Sequence, residues 1–321
     1  MAKSDFERAI QRAGRAAWWR RSLGAFLLVN LILAGTAVYG AQHIHSVAKS
    51  EALVATSTPV LPDTYADVRL QGHAAIVYDL KTGETLYQRN AEAQLPLASL
   101  TKLITIYAAT ETLGTTTPVS ITEKALAEDG DSGLKAGETF SFYDIARLAL
   151  VASSNDAAEA IADTASERRA TTNENLLAGV ASALHLRETY AINGTGLDES
   201  TVRSGGYGSA KDVAILAGAV LARNPELASA TVEPSITVRS TEGVKHTLPN
   251  TNQDIVHIPG ALLSKTGFTD LAGGNLVVVY DAGIAHPIAI VVLGSTRDGR
   301  FSDVSTLLKA TLAHFAAVPV S

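Results

Sequence analysis

Residues 74–103 read AAIVYDLKTGETLYQRNAEAQLPLASLTKL, and this stretch decides the fold that we predict for the chain. The apolar run AAIVYDL and the segment ETLYQR lie on either side of a Lys-Thr-Gly turn at 81–83, a pattern typical of a β-hairpin. A helical pattern follows over 99–113, and Gly114 stands where helices commonly stop. The stretch therefore predicts a strand pair that leads into a helix beginning at Ser99.

The remainder of the chain continues this mixture of helices and strands. Helices are predicted over 141–152, 156–165, 173–186, 210–223 and 303–317, and strands over 235–240, 244–248, 261–265, 275–280 and 288–293. Strands at both ends with helices between them predict an α/β (α+β) fold, in which an antiparallel sheet from distant segments is flanked by helices and joined to a helical subdomain. Nothing within 72–318 indicates an internal repeat or a second independent domain.

The N-terminal residues differ in character from this body. Residues 1–21 hold six Lys or Arg and two Asp or Glu, whereas the whole chain has a formal net charge of -6. Residues 23–41 carry no charged side chain and, at ~1.5 Å per residue, are long enough to cross a bilayer. The expected order is a cytoplasmic basic head at 1–21, a transmembrane signal anchor at 22–42, an extracytoplasmic linker at 43–71 and a globular domain at 72–318. A cleaved signal peptide is the alternative, and both predict export.

Composition restricts the chemistry. The chain has no cysteine, which excludes disulfides, iron–sulfur clusters, thiolate zinc sites and a cysteine nucleophile. The closest histidine pair, His43 and His45, lies in the linker, so neither a metal site nor a cofactor is expected. The acidic balance disfavours nucleic acid as a partner. No Gly-x-Ser-x-Gly motif is present, although the scattered histidines leave a Ser-His-Asp triad open.

Serine chemistry with lysine as the base is the other option. In Ser-x-x-Lys on a helix the two side chains share one face, so the amine can accept the hydroxyl proton. In enzymes that use this serine–lysine pair, a Ser-x-Asn motif and a Lys-Thr-Gly motif occur as well. The chain has Ser-x-x-Lys at Ser46/Lys49, Ser99/Lys102 and Ser132/Lys135, Lys-Thr-Gly at 81–83 and 265–267, and a single Ser153-Ser154-Asn155.

Context selects one copy of each motif. Ser46 lies in the linker, where water would surround its lysine, and Ser132 lies in the Gly-rich loop EDGDSGLKAGET. Ser99 opens an apolar helix, where its N–H would be a first-turn donor able to stabilise an oxyanion. The Lys-Thr-Gly at 81–83 is predicted to be a hairpin turn, whereas the copy at 265–267 follows a strand that could pair with a substrate backbone.

The ordered set Ser99-x-x-Lys102, Ser153-x-Asn155 and Lys265-Thr266-Gly267 resembles the D-alanyl-D-alanine carboxypeptidases, the low-molecular-weight penicillin-binding proteins of the S11 serine peptidase family. The resemblance covers about 72–315 and includes LVASSNDAAEAIAD and LLSKTGFTDLAGGNLV. It implies a β-lactamase/DD-peptidase-like fold and makes 72–318 a DD-peptidase catalytic domain.

The resemblance implies catalytic roles for four residues. Ser99 would be the acylated nucleophile and Lys102 its base, while Ser153 and Asn155 would relay protons and hold the substrate amide. Ser154 departs from the family pattern, in which this position is often Gly.

The resemblance also implies how substrate is bound. The residues concerned are Lys265, Thr266, Gly267, Phe268 and Arg300. Lys265 would supply positive potential, and Thr266, with help from Arg300, would bind the terminal carboxylate. Backbone N–H groups of Ser99 and Phe268 would hold the oxyanion, and Gly267 would let substrate come close. Leu97, between Pro96 and Ala98, departs from the family's usual Pro-Ala-Ser.

We therefore expect an enzyme of the bacterial cell membrane that removes the terminal D-Ala from peptidoglycan stem peptides and is covalently inhibited by β-lactam antibiotics. It would be single-pass with an extracytoplasmic catalytic domain, or secreted if the N-terminal segment is cleaved. A DD-endopeptidase and a β-lactamase are alternatives with the same chemistry. A β-lactamase would need a placed glutamate, and the nearest, Glu174, better suits the first turn of a helix. A non-catalytic, membrane-tethered peptidoglycan-binding protein is the remaining alternative. The intact motif residues of this chain argue against it, because a protein without catalysis would not need them.

Overall fold

A computed structural model describes residues 63–130, 132–283 and 285–317, all within the unit Leu61–Ser321. The strands are β1 (Ala74–Asp79), β2 (Thr85–Arg89), β3 (Leu95–Pro96), β4 (Pro118–Ser120), β5 (Thr139–Ser141), β6 (Tyr190–Ala191), β7 (Gly206–Gly208), β8 (Ser235–Arg239), β9 (Lys245–Pro249), β10 (Ala261–Thr269), β11 (Gly273–Asp281) and β12 (Pro287–Ser295). The α-helices are α1 (Lys102–Thr110), α2 (Phe142–Val151), α3 (Asn155–Arg168), α4 (Asn173–Ala183), α5 (Ala210–Arg223), α6 (Pro225–Ala230) and α7 (Gly299–Ala317). Short 3-10 helices occur at Ala98–Thr101, Ala125–Ala127 and Gln253–His257.

The main sheet joins both ends of the described chain, as the sequence predicts. Its strand order is β10-β11-β12-β1-β2, and every neighbouring pair is antiparallel. β1 pairs with β12 from Ala74 opposite Leu293 to Asp79 opposite Ile288. The predicted hairpin is confirmed, because β1 and β2 pair directly. β10, which carries Lys-Thr-Gly, is an edge strand with one side available to another chain segment.

Both faces of this sheet are covered, which explains why β1 is apolar at almost every position. Ala74 and Ile76 belong to the hydrophobic cluster shared with helices α1 to α6. Ala75 and Val77 point to the other face, where they share a cluster with Leu307 and other residues of α7. Alternation of side chains along a strand sends neighbouring residues to opposite faces, so a strand buried on both sides loses its polar positions.

Local capping sets the start of several helices. The Ser141 hydroxyl accepts a hydrogen bond from the Asp144 N–H at 3.1 Å, and Ser209 does the same for Asp212 at 3.1 Å, as the capping boxes predict. α5 occupies the predicted range. The helix predicted over 173–186 ends earlier, at Ala183, and His185 then adopts a positive φ of 55°.

Other boundaries also differ from the sequence prediction. The helix predicted over 99–113 begins as the 3-10 turn Ala98–Thr101 and its α-helical part ends at Thr110. The last helix begins at Gly299, four residues earlier than the predicted 303. The two- and three-residue strands β3 to β7 were not predicted, because their pairing depends on partners distant in sequence.

Among the described residues, no helix is long and apolar enough to cross a membrane. The anchor predicted at 22–42 and most of the linker at 43–71 lie outside the residues that the structure describes.

Candidate active site

The candidate nucleophile lies on a tight turn between β3 and α1. Ser99 belongs to the 3-10 helix Ala98–Thr101, and Ala98 has a positive φ of 48°. The Leu97 N–H donates to the Gly206 carbonyl at 2.9 Å, so the extra residue before Ser99 is tied into the neighbouring strand. Gly196 is required beside this turn, since a Cβ there would lie 1.9 Å from the Ala98 carbonyl oxygen.

Lys102 is completely buried one turn after Ser99. Its Nζ donates to Ser99 Oγ at 2.8 Å, to Asn155 Oδ1 at 2.6 Å and to the Thr195 carbonyl at 2.8 Å. Burial lowers the pKa of Lys102 to about 7, although the nearby carboxylates of Glu128 and Asp156 act in the opposite direction. A large fraction of this amine is therefore neutral near neutral pH and able to accept a proton.

The segment Ser153-Ser154-Asn155 connects the two buried lysines. Ser153 has a positive φ of 60° between α2 and α3, and its Oγ accepts a hydrogen bond from Lys265 Nζ at 2.8 Å. Ser154 caps α3 by accepting from the Ala157 N–H at 3.1 Å. Asn155 faces Lys102 with its oxygen, while its Nδ2 donates to the Asp129 carbonyl at 2.5 Å.

Lys265, Thr266 and Gly267 bring β10 against the nucleophile turn. Lys265 Nζ donates to Ser153 Oγ and to the Thr266 carbonyl, each at 2.8 Å. Burial holds the pKa of Lys265 well below its ordinary value, and the positive charges of Lys102 and Arg300 lower it further. A Cβ on Gly267 would lie 3.2 Å from the Ser99 nitrogen, so the strand packs closely against Ser99.

The remaining candidate residues are Thr266 and Phe268, which lie on the same strand, and Arg300, which lies beside it. Arg300 is buried at the start of α7, and its Nη1 donates to the Gly267 carbonyl at 2.6 Å. Thr266 Oγ1 lies 2.6 Å from Thr251 Oγ1. The Arg297 guanidinium stacks 3.7 Å from the centre of the Phe268 ring. Serine, lysine, amide and hydroxyl groups thus converge from four segments on one side of the sheet edge.

The model of the family described as peptidase S11, D-alanyl-D-alanine carboxypeptidase, matches residues 61–297. The chain belongs to the peptidase S11 family.

Individual relatives agree with this assignment. The chain is 31% identical over 261 residues to D-alanyl-D-alanine carboxypeptidase DacD of Escherichia coli (strain K12), an alignment covering 76% of this chain and 64% of that protein. It is 30% identical over 268 residues to the D-alanyl-D-alanine endopeptidase of Pseudomonas aeruginosa, covering 79% and 83% respectively. Penicillin-binding protein D2 from Listeria monocytogenes in the ampicillin-bound form superimposes with a TM-score of 0.65 at 27% identity, over 76% of this chain and 98% of that chain.

The S11 fold brings together the copy of each motif that the sequence selects. Ser99, Lys102 and Asn155 share one set of hydrogen bonds, Ser153 and Lys265 share a second, and the segment Ser153-Ser154-Asn155 joins the two. Thr266 and Gly267 continue along the same strand.

The rejected motif copies have other surroundings in this S11 chain. The first Lys-Thr-Gly forms the β1–β2 turn, in which the Lys81 and Thr82 N–H groups donate to Asp79 Oδ1. Lys135 lies in a loop, and its N–H donates to Glu138. Ser46, Lys49, His43 and His45 lie outside the described residues. Across the part of the chain that the structure describes, no group of three or more His, Asp or Glu side chains could hold a metal ion.

Sequence reasoning missed three contributors to this S11 site. The Thr195 carbonyl contacts Lys102, the Asp129 carbonyl contacts Asn155, and the Thr251 hydroxyl contacts Thr266. Two of the three act through backbone oxygens, which any residue could supply, so no residue-type signal marks them. Thr251 lies 15 residues before Thr266, and only the Asn250-Thr251-Asn252 segment that follows β9 could have drawn attention to it.

Proposed function

We propose that this chain is a serine-type D-Ala-D-Ala carboxypeptidase that removes the terminal D-Ala from peptidoglycan stem peptides through an acyl-enzyme on Ser99. The observation that carries the proposal is the fully buried Lys102 amine, 2.8 Å from Ser99 Oγ and with a pKa of about 7. The chain spans about 64% of the length of the carboxypeptidase relative from Escherichia coli, so the activity is inferred from the site together with the family.

Acylation would begin with transfer of the Ser99 hydroxyl proton to neutral Lys102. The Ser99 oxygen would then attack the carbonyl carbon of the D-Ala-D-Ala bond and form a tetrahedral intermediate. Backbone N–H groups of Ser99 and Phe268 are expected to hold its oxyanion. The close approach of β10 to Ser99 at Gly267 supports this placement. Collapse of the intermediate breaks the C–N bond, and the departing amine of D-Ala takes up a proton.

Ser153 is the expected route for that proton. Its Oγ accepts a hydrogen bond from Lys265, and Asn155, two residues later, contacts Lys102, which supports a position for Ser153 near both lysines. Water would then attack the acyl-enzyme with Lys102 again as the base, releasing the shortened peptide and restoring the Ser99 hydroxyl. The Arg300 guanidinium, which contacts the Gly267 carbonyl, would attract the carboxylate of the substrate, and the available edge of β10 would pair with its backbone.

A DD-endopeptidase is the second candidate, because the relative from Pseudomonas aeruginosa is named as one. The β-lactamase alternative is less well supported. Glu174 lies in the first turn of α4, where the Thr172 hydroxyl accepts from the Asn175 N–H, so its position is explained by helix formation. The hydrogen bonds that join both lysines to the serine motifs weigh against a non-catalytic binding protein.

The anchor and the compartment are part of the same proposal and rest on the sequence. Residues 22–42 would hold the protein in the bacterial cell membrane with the catalytic domain outside, where its substrate lies. Fractionation of cells expressing the full chain tests this. Catalytic protein that is recovered only from the cytosol would contradict it.

Fluorescent penicillin tests the enzymatic proposal. We expect covalent labelling of the wild-type protein and no labelling of Ser99→Ala. Absence of label on folded wild type, or label that persists on Ser99→Ala, would exclude the serine mechanism. Mass spectrometry of pentapeptide and of cross-linked dimers then separates the two activities, since a carboxypeptidase removes one D-Ala and an endopeptidase cleaves the dimer.

A further inference from the structure

Thr251 is a residue to which the sequence assigns no role, yet it contacts the proposed carboxylate-binding threonine. Its Oγ1 lies 2.6 Å from Thr266 Oγ1, and either hydroxyl could be the donor. Thr266 is 4% exposed, whereas Thr251 is exposed at the surface. Thr251 also lines a cavity of about 340 Å³ together with Arg297 and Arg300 and with Asp254 and Asp298, so groups of both charges face the same space.

The backbone around Thr251 is held rigidly. The Thr251 N–H donates to the Val151 carbonyl at 3.1 Å, close to the Ser153 motif. On one side, the buried Asn250 donates to the carbonyls of Thr231 and Glu233, each at 2.8 Å.

On the other side of Thr251, Asn252 is 1% exposed and donates to Ser264 Oγ on β10 at 2.8 Å. Asn250 and Asn252 are also joined directly, because the Asn252 N–H donates to Asn250 Oδ1 at 2.8 Å. Two buried, hydrogen-bonded asparagines therefore hold the exposed Thr251 in place, so its hydroxyl is preorganised beside Thr266.

A carboxylate bound at Thr266 would fix the direction of the hydroxyl pair. A carboxylate accepts hydrogen bonds only, so Thr266 must donate its single hydroxyl proton to it. The Thr266 oxygen then retains only acceptor capacity towards Thr251. The Thr251 hydroxyl, which also lies 3.5 Å from the Val151 carbonyl, therefore donates to the nearer Thr266 oxygen at 2.6 Å. The resulting chain, Thr251 O–H to Thr266 O–H to carboxylate, strengthens the charged hydrogen bond because each donor polarises the next.

We propose that Thr251 is a positioning residue for the terminal carboxylate of the substrate, acting by donating a hydrogen bond to Thr266. The inference rests on the proposed function, because it requires a substrate with a free carboxylate at Thr266. The carboxylate is held in both the ground state and the transition state, so Thr251 affects the binding of substrate more than the chemical step.

Thr251→Val tests the proposal, because valine keeps the shape of threonine and removes the hydroxyl. Hydrolysis would be measured with an N-acylated tripeptide ending in D-Ala-D-Ala, both as the free acid and as the C-terminal amide. For the free acid we expect kcat/KM to fall about five- to tenfold, mainly through KM, as the loss of one net hydrogen bond implies. The amide, which carries no carboxylate, should change by less than about twofold.

Two control variants separate positioning from structure. Thr251→Ser retains the hydroxyl and should stay within about twofold of wild type. Thr247→Val breaks a second threonine pair, in which Thr237 Oγ1 and Thr247 Oγ1 lie 2.9 Å apart on the exposed β8–β9 hairpin, and should leave both substrates unchanged. Thr251→Ala provides a second hydroxyl deletion if the valine variant unfolds.

The outcomes distinguish this proposal from the proposed function. Equal losses for acid and amide, or no loss for either in both hydroxyl deletions, would overturn the role of Thr251 while leaving the carboxypeptidase assignment intact. A wild-type protein that hydrolyses neither peptide and is not labelled by penicillin would overturn both.

Discussion

Replacing Lys102 with methionine should remove catalysis and, at the same time, change how stability depends on pH. Methionine has a similar length and no charge, so the variant tests both the base and its burial. The pKa of Lys102 falls from 10.5 to about 7 on folding, which at ~1.36 kcal/mol per pH unit disfavours the buried ammonium by about 5 kcal/mol.

The sign of the linkage follows from which state binds the proton. Between pH 7 and 10.5 the lysine of the unfolded chain is protonated, while that of the folded protein has released its proton. Raising the pH therefore favours the folded wild type, by about 1.4 kcal/mol per pH unit within this window. The penalty is complete below pH 7 and vanishes above 10.5. Lys102→Met lacks this contribution. Lys265 keeps its own in both proteins, because burial is the largest cause of its lowered pKa and the Lys102 charge a smaller one.

Urea unfolding and penicillin labelling measure the two effects. Between pH 7.5 and 9.5, the unfolding free energy of wild type minus that of Lys102→Met should rise by about 2.7 kcal/mol. The labelling rate of wild type should fall about tenfold per pH unit below pH 7, and Lys102→Met should lose at least about 100-fold. Ser99→Ala is the control, because it should lose the label and keep the pH-dependent stability. A flat difference in unfolding free energy, or labelling of Lys102→Met within tenfold of wild type, would refute the neutral-lysine argument.

The other predictions compare matched positions. Lys81→Ala should label with penicillin at a rate within about twofold of wild type, because Lys81 contributes its backbone N–H to a hairpin turn. Lys265→Ala should lose at least about 100-fold in labelling rate. Equal effects of the two substitutions would mean that the two Lys-Thr-Gly copies are wrongly distinguished. Gly196→Ala should abolish labelling and lower the melting temperature, because its Cβ would meet the Ala98 carbonyl oxygen at 1.9 Å. Gly137→Ala, with a similar positive φ of 83° but open space around it, should cost only about 1 kcal/mol of stability and keep its label; comparable damage in both variants would show that backbone strain alone is responsible.

Much of the fold could be predicted because its longer elements carry their own local signals. The β1–β2 hairpin is marked by apolar runs around a turn, and α5 has a capping serine at one end. The short strands carry no such signal. β3 has two residues, and it exists because β7, more than 100 residues later in the chain, pairs with it. Local propensity cannot reveal a pairing that is made by a distant partner.

The residues of the candidate site also divide into those that the sequence could predict and those that it could not. Chemically distinctive residues such as Ser99, Lys102 and Asn155 could be proposed from motif and order. Contacts made by backbone atoms, such as the Thr195 carbonyl on Lys102, could not, since their residue types carry no information. The Thr251–Thr266 pair was missed for a related reason, because a threonine in a loop is common and gains meaning only from what it touches.

The sequence alone determined which reactive groups this protein has and in what order they occur along the chain. With no cysteine and no Gly-x-Ser-x-Gly motif, a serine followed three residues later by a lysine was the chemistry that the motifs favoured. Three copies of that pair exist, and the tertiary structure shows the surroundings of Lys102 and Lys135, the two lysines that lie among the described residues. Around Lys102, segments up to 93 residues away exclude water and bring its pKa to about 7. Burial depends on every segment that packs around a group, so the lowered pKa on which the proposed role of this lysine rests is absent from its local sequence.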